Sequence, residues 1–461
     1  MRHIFLFLKL LVFLTALTPN VALAGIFNAQ TAELENGMRI VFIPNHRAPV
    51  VTHMIWIKAG AMDEPQGISG LAHFLEHLMF KGTENTKPGE FSRIIKTLGG
   101  NHNAFTSKDY TAYFETVAVE HLDQVMRLNA DRITHLSPPQ EEIISERNVV
   151  LEERRQRVDN NPSTQFQEHL TATHYLTHPY ANPVIGWMGE LKNINWDQAL
   201  KFYRKFYVPN NMILVVTGDL EFKDLVEKAE KYYGPLKPKP IKRYPSPVLP
   251  DLVGEKTLVY EGKTILQPSL YRIYSAPSFS QDKKNSLALQ VLAEILSGAP
   301  ASYLHDEIVV EQKLASSVSA YYSEYTRAHS RVQFSISPLH GVPLKKLETA
   351  LEKALEDLYK HDLNQDRVAR AKSRLVAQAI YARDSLSGPP MIMGRAITSG
   401  AQLEDIEDWD QLIKSVPFND VKKVLYKYFI SPDRAPVTGY LEPAPEIVKK
   451  EDTKQKYKRG R

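Results

Sequence analysis

The chain has 461 residues, with 57 Lys+Arg against 53 Asp+Glu, a formal net charge of +4. That near balance carries no nucleic-acid footprint, and 43% hydrophobic with 24% charged residues is a soluble globular mix that excludes disorder through the bulk of the chain. There are no cysteines, so a disulfide framework, a thiol nucleophile and a sulfur-ligated metal are excluded, and any metal must be held by His and carboxylates.

Residues 1–24 read as an export signal. Arg2 and His3 form a short positive end, Ile4 to Leu17 is an apolar run broken by Lys9 and Thr15, and Ala22-Leu23-Ala24 offers small residues before Gly25. The run is short for a membrane span of about 20 residues. Removing Arg2 and Lys9 leaves the mature chain at +2. The expectation is a protein exported to the periplasm, with a Gram-negative source, and with no later segment able to span a bilayer.

Met38 to Pro44 and Val50 to Ala59 are β-branched and aromatic and predict strands. Gly67 to Gly82 has apolar residues at helical spacing, with Ser69 placed as N-cap. Phe91 to Leu98 predicts a helix stopped by Gly99-Gly100, and Asn103 to Val117 a strand. Helical patterns follow at His121 to Ile133, Gln140 to Val158, Asp197 to Phe206 and Phe222 to Tyr232, with a short buried-type strand at Met212 to Thr217. This order predicts an α+β fold rather than a doubly wound sheet. Six prolines between Pro235 and Pro250 mark a semi-rigid linker.

The sequence beyond the linker echoes the sequence before it. Val216-Thr217-Gly218-Asp219-Leu220 returns as Val437-Thr438-Gly439-Tyr440-Leu441, offset by 221, and Glu76 has a counterpart in Glu294, offset by 218. The common offset implies duplication into two homologous halves. The layout is then a signal peptide at 1–24, a catalytic half at 25–234, the linker at 235–250, a second half at 251–445 and a basic solvated tail at 446–461. The copies differ where chemistry would sit: His73, Glu76 and His77 in the first, mainly apolar residues around Glu294 in the second.

His73-Phe74-Leu75-Glu76-His77 is an H-x-x-E-H motif, the inverse of H-E-x-x-H. On a helix, positions i and i+4 share a face, so both imidazoles can address one ion. Glu76 edges onto that face, placed to reach a water rather than the ion. Two imidazoles, one carboxylate and one open position suit catalytic zinc, which lowers the pKa of water toward 7 for a carboxylate base to deprotonate. A similar two-His-one-carboxylate set serves oxygen-activating iron; the spare Glu on the helix favours hydrolysis. The third ligand must come from elsewhere, and the acidic segment Glu146 to Glu153 is the strongest region. By spacing alone that segment reads as an ordinary solvated helix.

The extended string Gly70-Leu71-Ala72-His73-Phe74-Leu75-Glu76-His77-Leu78-Met79-Phe80-Lys81-Gly82-Thr83, preceded by Gly60, resembles the pitrilysin (M16) family of zinc metallopeptidases, in its processing-peptidase-like branch. The resemblance runs from about Leu34 to Leu441 and implies two α/β-sandwich halves, the first active and the second silent. It implies Zn2+, one per chain, on His73, His77 and Glu153, the last being 76 residues beyond His77 in an E-R-x-V-x-x-x-E segment. Glu76 becomes the general base, and Glu146 an accessory glutamate orienting a ligand or water. Asn103, Ala104 and Phe105 match the family's substrate-binding edge strand, where an extended peptide adds by main-chain hydrogen bonds. His178 to Gly186 matches a loop beside the site, and His102 is assigned no ligand role. The second half of the family often supplies an Arg and a Tyr to substrate; Tyr321, Tyr322, Tyr325, Arg327 and Arg331 lie in that region without a residue-by-residue match. The function implied is an exported zinc metalloendopeptidase acting on peptides or unfolded segments, in a homodimer or a heterodimer with a related chain lacking the motif. The alternative is a non-catalytic peptide-binding or assembly subunit of the same fold.

Overall fold

The computed structural model describes residues 25–243, 248–250 and 252–444. The signal peptide and basic tail expected from sequence lie outside the described residues, as does part of the linker. Among the described residues no helix is long and apolar enough to cross a membrane.

In chain order the first half contains β1 (Gln30–Glu33), β2 (Arg39–Pro44), β3 (Val50–Ile57), α1 (Leu71–Leu78), α2 (Glu90–Thr97), β4 (Asn101–Thr106), β5 (Thr111–Ala118), α3 (Leu122–His135), α4 (Gln140–Arg154), α5 (Pro162–Tyr175), α6 (Met188–Leu191), α7 (Trp196–Phe206), β6 (Met212–Gly218) and α8 (Phe222–Tyr233). The second contains β7 (Lys256–Gly262), β8 (Ser269–Ala276), α9 (Lys283–Ser297), β9 (Ala315–Tyr322), β10 (Ser330–Pro338), α10 (Leu344–Asp357), α11 (Gln365–Arg383), α12 (Gly388–Thr398) and, after further helices, β11 (Val437–Pro443).

The two sheets have one topology. The first runs β1-β2-β6-β3-β5-β4 and the second β7-β11-β8-β10-β9, so the second repeats the first without β1. In each, the first of the shared strands pairs parallel with the last (β2 with β6, β7 with β11), and the other shared pairings are antiparallel. The duplication inferred from the recurring Val-Thr-Gly is therefore a duplicated fold.

Both faces of the first sheet are buried, which is why its central strands are continuous apolar runs rather than alternating ones. Ile40, Phe42, Ile55, Leu214 and Val216 face a core shared with the helices of their own half. Val41, Ile43, Met54, Trp56, Ile213 and Val215 face a core built largely by the second half. The halves exchange helices to achieve this. Helix α12 of the second half lies on β3 and β6, and α5 of the first half lies on β7 and β11. Gly394 of α12 sits so close to Trp56 that a Cβ would fall 1.9 Å from the indole, so only glycine permits the crossing. Phe166 and Leu170 of α5 pack with Ile273, Val437 and Leu441 of the second sheet. Each large apolar side chain buried this way stabilises by about 2–3 kcal/mol.

Polar contacts fasten the same junction. Arg327 donates to Asp63 Oδ2 at 2.7 Å, and its backbone N–H donates to Asp109. Asp109 also accepts from the Tyr180 hydroxyl at 2.6 and 2.7 Å. Arg327 is thus committed between the halves, and Arg331 donates to Thr171 of α5.

Three boundaries differ from the sequence reading. Helix α1 begins at Leu71 rather than Gly67, because Gly67 and Gly70 take φ of +81 and +88, off the right-handed helical path. The stretch from Asn103 to Val117 is a hairpin of two strands, not one. Helix α4 ends at Arg154 and continues as a wider turn of π type over Arg155–Asp159.

Candidate metal centre and substrate cleft

Helix α1 packs on α4, so the motif faces the acidic segment. Leu71, Phe74, Leu75 and Leu78 are buried beneath it and fix the rotation of the helix. His73 is buried, while His77 and Glu76 are half-buried. His73, His77 and Glu153 each bring one ligand atom to within 4.8 Å of the others, and they form the group of this kind found among the described residues. Glu153 Oε2 lies 3.7 Å from His73 Nε2 and 3.4 Å from His77 Nε2. Two atoms bound at about 2.0–2.2 Å to a tetrahedral ion sit roughly 3.3–3.6 Å apart, and both spacings come within about 0.2 Å of that range. Glu153 Oε2 is also buried without a hydrogen-bond partner. An orphaned carboxylate oxygen facing two imidazole nitrogens is costly unless a cation completes the set.

The surroundings orient each donor. His77 Nδ1 pairs with Glu146 Oε2 at 3.0 Å, which leaves Nε2 turned toward Glu153. Lys81 in turn pairs with Glu146 Oε1 at 2.6 Å. Glu153 Oε1 is held by Arg157 at 2.7 Å, four residues on, leaving Oε2 for the centre. Glu152 points to solvent and pairs with Arg155. Glu76 stands apart from this set, and its Oε2 accepts from Thr106 Oγ1 of β4 at 2.6 Å.

Protonation follows the environment. Burial, then the neighbouring His77, push the His73 imidazole well below its ordinary range. Burial opposes charge on His77 too, but Glu146 and Glu153 outweigh it and raise that ring to about 9. The neighbouring His77, whose Nε2 lies 3.4 Å from Oε2, holds Glu153 below the usual carboxylate range. Burial raises Glu76 above the usual carboxylate range, partly offset by the hydrogen bond from Thr106.

The centre opens on a cleft of about 900 Å³ walled by His73, Glu76, His77, Asn103, Ala104, Phe105, Thr106 and Glu153. Among the described residues β4 is the outer strand of its sheet, and one side of it carries no strand partner. The Ala104 N–H donates to the side-chain oxygen of Asn103 at 2.9 Å. His102 packs on Phe80 and Phe91 and stands outside the metal group. None of Tyr321, Tyr322, Tyr325, Arg327 and Arg331 lines the cleft.

The sequence matches two family models in tandem, insulinase (peptidase family M16) over residues 39–187 and the peptidase M16 inactive domain over residues 193–375. It is 30% identical over 417 residues to zinc protease PqqE of Helicobacter pylori, spanning 90% of this chain and 93% of that protein. The chain belongs to peptidase family M16. It is also 24% identical over 421 residues to the mitochondrial-processing peptidase subunit beta of Lentinula edodes, spanning 88% of each. Among solved structures, a protease from Helicobacter pylori superposes with a TM-score of 0.83 at 29% identity, covering 90% of this chain and 99% of that one. The periplasmic protease PqqL of Escherichia coli gives 0.76 at 19% identity, covering 90% of this chain and 47% of that one, a likeness of fold.

The second M16-type half carries an ion pair where the first carries the motif. The offset of 218 carries His73, Glu76 and His77 onto Val291, Glu294 and Ile295, and the offset of 221 carries Glu153 onto Arg374. Arg374 Nε donates to Glu294 Oε1 at 2.6 Å, and the two imidazole positions hold Val291 and Ile295.

Sequence reasoning passed over Thr106, Arg157 and Lys81. Thr106 stood inside the quoted strand segment and Lys81 inside the motif string, but their partners are set by tertiary packing. Arg157 had the one local signal, its i+4 spacing from Glu153.

Proposed function

We propose that the chain is an exported zinc metalloendopeptidase that hydrolyses extended peptides or unfolded segments. One observation carries the reading: the orphaned Glu153 Oε2 faces both imidazoles on the wall of a cleft shared by a half-buried Glu76 and by β4, which has one side unpaired among the described residues. His73, His77 and Glu153 would hold the ion. Bound zinc supplies Lewis acidity that lowers the pKa of water and polarises a carbonyl. Glu76, its basicity raised by burial, takes a proton from the attacking water and returns it to the leaving amine. Thr106 keeps that carboxylate aimed into the cleft. Glu146 fixes the His77 tautomer by accepting from Nδ1 and so presents Nε2. Asn103, Ala104 and Phe105 receive the peptide as an added strand, which requires an extended main chain and disfavours folded substrates. Export by the segment 1–24 places the enzyme in the periplasm of a Gram-negative bacterium, as a homodimer or paired with a related chain lacking the motif.

The test is zinc content and cleavage of an internally quenched peptide by the purified mature chain, alone and with any co-purifying chain. The reading expects one zinc per chain and cleavage abolished by chelator and restored by zinc. Zinc binding with no cleavage under either condition would favour the non-catalytic subunit.

A further inference from the structure

The first backbone N–H groups of a helix have no partner inside it, and α1 has no capping side chain at its own N-cap. Glu64 supplies the acceptors from outside, Oε2 taking the Gly70 N–H at 3.1 Å and Oε1 the Ala72 N–H at 2.8 Å. Just before, Ser69 is fastened to the segment 186–190. Its N–H donates to Glu190 Oε2 at 2.6 Å, and its Oγ accepts the Trp187 N–H at 2.9 Å. The two backbones touch there. A Cβ on Gly70 would lie 2.6 Å from the Ile185 oxygen, and one on Gly186 would lie 2.4 Å from the Ser69 oxygen. The same segment is gripped from the other side by α4. Arg154, the residue after Glu153, donates to the Gly186 oxygen at 2.6 Å, and its fork holds Glu168 at 2.9 and 2.8 Å. Arg154 is buried, and neither it nor Glu64 lines the cleft.

We propose that Arg154 and Glu64 are positioning residues of the metal centre. Through the contact of Gly70 on Gly186 they clamp the start of α1 to the end of α4 and set the separation of the two imidazoles from Glu153. The physical argument is leverage. A slide of α1 along its axis carries His73 and His77 together, and a twist of the last turn of α4 carries Glu153. Metal–ligand distances tolerate only about 0.2 Å. The burial of apolar residues between α1 and α4 sets which faces meet but leaves such sub-ångström freedom, and the clamp removes it. This inference rests on the zinc reading above.

Glu64→Gln keeps one acceptor oxygen and puts an N–H2 donor where the other oxygen faces a backbone N–H. Arg154→Lys can hold Glu168 or the Gly186 oxygen, without the fork that serves both. The experiment measures the zinc Kd of the full mature chain by competition with a chromophoric chelator, and separately the unfolding midpoint of the metal-free protein. Each variant is expected to raise the Kd by roughly 10- to 100-fold, the range for residues that orient ligands. The peptide KM should stay close to wild type, and any fall in the metal-free midpoint should be too small to account for the loss of affinity. Because both act through one contact, the double variant should lose less than the product of the single losses. A Kd within twofold of wild type in both variants overturns the inference, as does a loss of affinity that only tracks loss of the metal-free fold. A wild-type chain that binds no zinc overturns the zinc reading itself.

Discussion

Glu76→Gln separates holding the ion from using it. The carboxylate is not among the three converging donors, and its Oε2 is engaged by Thr106 at 2.6 Å. The amide has the same shape, and its oxygen can accept that hydrogen bond, so packing and the donor set should be preserved. What is lost is the basic group whose basicity burial raises. A positioned general base contributes about 10²- to 10⁴-fold, equivalent to about 3–5 kcal/mol of barrier. The variant should therefore retain one zinc per chain by elemental analysis, with kcat on a quenched peptide reduced by that factor and KM little changed. Full zinc with undiminished hydrolysis would refute the assignment of Glu76. Loss of zinc would show that Glu76, not Glu153, belongs to the ligand set.

Other perturbations address the surroundings. Glu146→Gln removes the charge that orients His77, and zinc affinity by chelator competition should fall roughly 10- to 100-fold. Arg327→Met breaks the bridge between the halves. It should cost about 3 kcal/mol in urea unfolding, the low end for a broken buried pair, because Arg243 still faces Asp63. His174 is fully buried with both ring nitrogens unpartnered, and burial, then Arg331, depress it to about 3. Its depressed folded value means that the unfolded chain binds the proton first. Stability is therefore complete above the unfolded value near 6.5 and declines as pH falls toward 3. At pH 5 this one ring costs about 2 kcal/mol, so the stability of His174→Phe relative to wild type should rise by that amount between pH 7.5 and pH 5. A pH-independent difference would remove His174 as a cause of acid lability.

What the sequence made legible follows from range. The i, i+4 histidines and the adjacent glutamate are local, and helical geometry alone brings the two imidazoles onto one face. Glu153 is 76 residues away from His77, and spacing within Glu146 to Glu153 could not separate a ligand from a solvated acidic face; only the family resemblance singled it out. The duplication was legible because the offset survives in the chain, and the matching strand orders agree with it. The exchange of α5 and α12 was not. Helix α5 buries only Phe166, Leu170, His174 and Tyr175 among mostly polar neighbours, a pattern too weak to announce a helix, although Asn161 before Pro162 was a valid start signal. Its partner surface belongs to the other half, so nothing local records it. The early start expected for α1 failed for a similar reason: Ser69 looked like a cap, but its hydroxyl is used on Trp187 instead.

The most direct measurement is anomalous diffraction at the zinc edge from crystals of the zinc-loaded mature protein. A single peak at about 2.0–2.2 Å from His73 Nε2, His77 Nε2 and Glu153 Oε2 is the predicted result. A peak elsewhere, or a Glu153 carboxylate turned away from a metal held only by the two imidazoles, would contradict the account.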